Sequence, residues 1–180
     1  AALRGVGGAM AAVDAVMTGE AANAFVATRP PGHHAEKARA MGFCFFNQAA
    51  IAARHAQAVY GASRVAIIDW DVHHGNGTQD IVWDDPTLMY VSSHEMPLYP
   101  GTGSPAETGA HGNVVNVALA SGDDGDAFRD AFETVVLPRV ASFRPDLVII
   151  SAGFDAHWRD PLANLNLTEE DFGWATRELM

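Results

Sequence analysis

Three short stretches of this 180-residue chain gather residue types that can do chemistry. The first is Arg29-Pro30-Pro31-Gly32-His33-His34-Ala35, which sets two adjacent imidazoles in a proline-braced loop. A histidine takes up and delivers protons near neutral pH. Two neighbouring imidazoles resist being charged together, so one tends to stay neutral as a base. The second stretch is Asp69-Trp70-Asp71-Val72-His73-His74-Gly75-Asn76-Gly77-Thr78, directly after the apolar run Val65-Ala66-Ile67-Ile68. If the extended backbone persists, Asp69, Asp71 and His73 fall on one face by the two-residue period of a strand. Carboxylates side by side need a compensating cation, and carboxylate with imidazole suits zinc. The third stretch, Ser151-Ala152-Gly153-Phe154-Asp155-Ala156-His157, follows the apolar run Leu147–Ile150 and offers Asp155. Asp71, His73 and Asp155 would then be three protein ligands with a fourth position open, the arrangement of a catalytic zinc. Such a centre beside a histidine base points to hydrolysis of an amide or ester.

Elements must exist that bring these stretches together. The pattern predicts helices over 6–19, 47–60, 78–83 and 126–143, and one beginning at Thr168. Asn47 and Thr168 are the expected N-caps, Gly19 and Gly61 the helix ends, and Pro138 a kink. Strands are expected at 24–27, 64–70, 88–92, 114–119 and 147–150. The segments 28–46 and 97–112 read as long irregular loops, which in compact domains are often functional. Apolar strands alternating with helices imply a mainly parallel sheet covered on both faces, with ligands beyond the strands' C-terminal ends. The reactive stretches sit at those ends.

Composition bounds the rest. Hydrophobic residues make up 48% of the chain and charged ones 18%, which fits one globular domain and argues against disorder. A net charge of −11 argues against direct binding of nucleic-acid phosphates. The single cysteine, Cys44, permits no internal disulfide and reads as a buried apolar residue, compatible with the cytoplasm. No apolar run is long enough to span a bilayer. Gly75-Asn76-Gly77 and Gly101-Thr102-Gly103 lack the lysine and helix context of a phosphate loop. Taken singly, an aspartate at a strand end is more often a turn former, and a His-His pair a solvated group; it is their combination at consistent strand ends that carries the argument. Both ends of the chain read as cut, so residues 1–180 are expected to be the central part of a single domain.

These stretches, with Gly42-Phe43-Cys44-Phe45-Phe46-Asn47 and Pro100-Gly101-Thr102-Gly103, resemble the zinc-dependent histone deacetylase superfamily. That group includes acetoin-utilisation proteins and acetylpolyamine amidohydrolases. The motifs occur in family order from Arg29 to Leu162, and the Gly-Phe-Asp and Gly-Asn-Gly wording is similar to its class II branch. The resemblance implies a three-layer α/β fold of the arginase/deacetylase type, with a central mainly parallel sheet flanked by helices. It implies removal of acetyl groups from amines, either acetyl-lysine or an acetylated polyamine or other small amine. Asp71, His73 and Asp155 would bind zinc; His34 would be the general base and acid, and His33 its electrostatic partner, oriented by Asp69. Asn76 stands where some branches carry an aspartate that orients His34, which should make His34 less basic. Gly42, Phe43 and Tyr99 would wall an acyl-lysine tunnel, with Leu162 at its rim. Potassium would sit on the Asp69, Asp71 and Ser92 side chains and the carbonyls of Asp71, His73 and Ser93. The family's Gly-Gly-Tyr motif, whose tyrosine meets the developing oxyanion, would follow the last segment here. A binuclear-manganese ureohydrolase of the same fold, or a non-catalytic acyl-lysine-binding module, are the competing readings. A homo-oligomer is compatible with the sequence, and no membrane or nucleic-acid partner is expected.

Overall fold

The computed structural model describes residues 1–180. In chain order the elements are α1 (Ala2–Met17), α2 (Gln48–Tyr60), β1 (Val65–Asp69), α3 (Asn76–Val82), β2 (Leu88–Glu95), β3 (Val114–Leu119), α4 (Gly125–Ala131), a π-helical turn (Phe132–Val136), α5 (Leu137–Phe143), β4 (Leu147–Ser151) and α6 (Glu169–Leu179). The strands form one sheet in the order β3-β2-β1-β4, and every pairing is parallel. Parallel neighbours need crossover connections; α3 lies in the one from β1 to β2, the helices from α4 to α5 in the one from β3 to β4, and an irregular loop makes the one from β2 to β3.

Alternation along β1 shows the layering. Val65 and Ile67 join a core with α1 and α2, whereas Ala66 and Ile68 join one with Phe128, Phe132 and Phe172 from the helices after β3 and β4. Both isoleucines are fully buried, each contributing roughly 1.5–3 kcal/mol. The expected three-layer architecture is what the chain adopts.

Asn47 caps α2 as expected, its side chain accepting from the Ala50 N–H at 3.0 Å. Its Nδ2 also donates to the Ala35 carbonyl at 3.3 Å and to Thr78 Oγ1 at 3.0 Å, tying the His-His loop to α2 and α3. Asn47→Ala is expected to cost about 2–3 kcal/mol, the sum of a lost cap and orphaned buried partners. Urea denaturation of wild type and variant measures it. Gly61 ends α2 in the left-handed conformation, and Thr168 with Asp171 forms a capping box at α6.

Three expectations fail. Residues 24–27 form no strand; Phe25 is exposed, and with no backbone partner a short apolar run gains nothing from extension. The helix expected over 126–143 is interrupted, and not at the proline itself. Pro138 cannot donate to the preceding turn, and the helix passes through the π turn at Phe132–Val136 before α5 starts. Third, the extended backbone of β1 stops at Asp69, and residues 71–73 bend.

Candidate metal and acid–base site

The site lies where β1 and β4 end. The bend after Asp69 places Asp71 and His73 by means other than strand alternation. Asp69 Oδ1 accepts from the Asp71 N–H at 3.2 Å, and Asp71 Oδ1 from the His73 N–H at 2.9 Å. From the neighbouring strand end, Asp155 Oδ1 accepts from the Val72 N–H at 2.9 Å. This bond latches the two loops together. One donor atom each from Asp71, His73 and Asp155 lies within 4.8 Å of the others. His73 Nδ1 is 3.1 Å from Asp71 Oδ1 and 2.9 Å from Asp155 Oδ2. Hydrogen bonds to those carboxylates, Asp155 first, raise its pKa to about 10. Two carboxylates converging on one imidazole nitrogen fit a divalent cation in donor type and spacing.

Asp69 links this cluster to the histidine pair, one carboxylate oxygen on the Asp71 N–H and the other on His33. It follows Val65 and Ile67 on the α2 side of the sheet, where Tyr90 also points. Asp69 Oδ2 accepts from Tyr90 Oη and from His33 Nδ1, each at 3.0 Å. Burial works against a charge on His33, but Asp69 and Asp71 outweigh it and lift the pKa to about 9. His33 Nε2 reaches to 3.7 Å from Asp71 Oδ2. His34 is the opposite case: burial and the positive His33, 4.0 Å away ring to ring, lower it to about 4. The adjacent imidazoles therefore rest in different states at neutral pH, one charged and one neutral. His34 Nδ1 lies 2.9 Å from Asn76 Oδ1.

Gly42 closes against His34, since a Cβ there would fall 2.2 Å from His34 Cδ2, and its φ is +54°. Tyr99 presents its ring edge-on to His34 at 5.1 Å and to His73 at 6.4 Å. Phe43, Tyr99 and Leu162 are exposed. Of the potassium set, Asp69 and Ser92 are register partners across β1 and β2. Ser92 Oγ is 2.9 Å from His94 Nδ1, and the Ser93 hydroxyl is buried without a partner.

Sequence reasoning missed Tyr90, Glu36 and Glu107. Tyr90 could have been found, because a tyrosine inside a buried strand needs a partner for its hydroxyl. Glu107 accepts from Gln79 Nε2 and from the backbone N–H of Ser104, pinning the loop that follows Tyr99; its sequence context gives no such signal.

Comparison with known proteins decides the kinship. Residues 1–180 match the histone deacetylase domain. The chain belongs to the histone deacetylase family. Among family members, it is 52% identical over 156 residues to an uncharacterised protein of Synechocystis sp., covering 87% of this chain and 51% of that protein. It is 45% identical over 170 residues to Arabidopsis thaliana histone deacetylase 14, chloroplastic, covering 90% and 40%. To the histone deacetylase-like amidohydrolase of Pseudomonas aeruginosa it is 45% identical over 168 residues, covering 91% and 44%. The chain thus spans about half the length of its curated relatives, or less. The crystal structure of the HDA15 HD domain superposes with a TM-score of 0.94 at 44% identity, covering 97% of this chain and 53% of that one. That of an acetylpolyamine aminohydrolase from Burkholderia pseudomallei gives 0.90 at 38%, covering 96% and 51%. These likenesses establish the deacetylase-type fold. No helix is long and apolar enough to cross a membrane.

Proposed function

We propose that this chain carries the metal and acid–base site of an enzyme that hydrolyses acetyl-amide bonds on amines. The observation that carries the reading is the pair of oppositely poised imidazoles beside the Asp71–His73–Asp155 cluster. Zinc held by these three residues would supply Lewis acidity toward an acyl carbonyl and toward water. His34, neutral and with Nδ1 facing Asn76, offers Nε2 to accept the water's proton and deliver it to the leaving amine nitrogen. His33 keeps its proton against Asp69 and stabilises negative charge developing beside it. Tyr99, set against both His34 and His73, is placed to border the acylated stem, with exposed Phe43 and Leu162 further out. Potassium on Asp69, Asp71 and Ser92, with the carbonyls of Asp71, His73 and Ser93, belongs to the same reading. The register that sets Asp69 beside Ser92 supports it.

The relatives' names span acetylated proteins and acetylated polyamines, so the test is acetate release by the zinc-loaded full-length protein from an acetyl-lysine peptide, an acetylpolyamine and a small acetylated amine. Release from at least one is expected; none from any would reject the reading. Within it, Gly42→Ala should lower kcat by about tenfold or more, because the added methyl displaces the His34 ring and the left-handed backbone is strained. Steady-state kinetics at equal zinc content measure this.

A further inference from the structure

Behind His34 stands a carboxylate that no motif indicated. Asn76 Oδ1 is 2.9 Å from His34 Nδ1, and Asn76 Nδ2 is 2.8 Å from Glu36 Oε1. A side-chain amide turned end for end keeps nearly the same shape, so its partners decide which end faces which. A carboxylate only accepts, and Glu36 therefore draws the amide nitrogen. Met41 Sδ, 3.2 Å from Asn76 Nδ2, is also an acceptor and selects the same end. Asn76 Oδ1 is left facing His34, and that contact is a hydrogen bond only when His34 Nδ1 carries the proton. In the neutral ring Nε2 is then bare.

The backbone holds this chain of contacts in line. The Glu36 N–H donates to the Arg39 carbonyl at 2.9 Å, and the Lys37 N–H to Asp80 Oδ2 of α3 at 3.1 Å. The Thr78 N–H donates to the His33 carbonyl at 3.0 Å. At Gly77 a Cβ would lie 2.3 Å from the Ala35 carbonyl oxygen, so the strap 33–37 lies directly on the first turn of α3, which Asn76 begins.

We propose that Glu36 is a positioning residue: its carboxylate fixes the orientation of the Asn76 amide and, through it, the Nδ1–H tautomer of His34. This rests on the reading of His34 as the proton-transferring base. Two measurements on the full-length protein test it. Nitrogen NMR of protein labelled at histidine reads the His34 tautomer with no need for turnover. Wild type is expected to show a protonated Nδ1 and a bare Nε2, and Glu36→Ala a shift toward Nε2–H. In kinetics, Glu36→Ala should lower kcat about 10- to 100-fold with KM within about twofold, whereas Glu36→Gln, which keeps an acceptor, recovers most of the rate. Asn76→Asp sets two carboxylates face to face and should also lose rate. Adding Glu36→Gln should restore it, because the glutamine amide can donate to the new aspartate. An unchanged tautomer in Glu36→Ala overturns the proposal, as does a double variant no faster than Asn76→Asp alone. Wild type that releases no acetate would instead reject the functional reading, and the tautomer measurement would still decide the role of Glu36.

Discussion

His34→Ala is expected to lower kcat for acetate release by the full-length protein about a thousandfold while zinc content stays at the wild-type level. The size of the effect follows from what is left behind. His33 cannot take over, because the Asp69 and Asp71 carboxylates hold its proton with a pKa of about 9, and a group already charged is no base at neutral pH. No other neutral imidazole is placed to substitute: His74 turns to Thr102 and Gln79, and His94 to Ser92 and the Gly103 carbonyl. The measurement is acetate release under saturating substrate, with zinc quantified on the same sample. Turnover equal to wild type would remove His34 from the mechanism.

Asp155→Ala should have an effect as large for a different reason. It removes one of three donors and also the bond from the Val72 N–H that latches the β4 loop to the β1 loop. It takes away the largest influence raising the His73 pKa as well. Zinc affinity should fall by more than about 100-fold, and deacetylation with it. Asp155→Asn separates the two roles, because its side-chain oxygen can keep the Val72 bond while the charge is lost. Competition with a chromophoric chelator reads the affinity. A Asp155→Ala variant that binds zinc as tightly as wild type would show that this cluster is not the metal site.

Much of this was readable from residue order. The apolar runs Val65–Ile68 and Leu147–Ile150 read as strands of a parallel sheet, which the fold sets side by side, and the rule that ligands gather beyond C-terminal strand ends pointed to Asp71, His73 and Asp155, whose donor atoms lie together. The reason given for Asp71 and His73 was nevertheless wrong. They converge because the chain bends on hydrogen bonds from carboxylates to backbone N–H groups two residues on, a local choice that strand periodicity does not encode. The pairing of Asp69 with His33 comes from the family resemblance rather than from periodicity, and the two side chains do meet at 3.0 Å. The burial of Tyr90 in an apolar strand signals a hydroxyl in need of a partner, though not that the partner is Asp69, whereas Glu36 acts across a gap of 40 residues through a contact that only the folded packing creates. The wrongly expected strand at 24–27 shows the same limit, since extension depends on a partner that local composition cannot supply.

The contrast between the two neighbouring histidines has a last consequence. Anchored on an aspartate and on an amide respectively, they carry one positive charge between them at rest, and it resides on His33. Under the proposed hydrolysis a second charge arises only while His34 holds the proton taken from water, and it is lost when that proton passes to the amine. Where the transfer to His34 limits turnover, the rate in mixtures of light and heavy water is expected to fall linearly with deuterium content, the mark of a single hydron in flight.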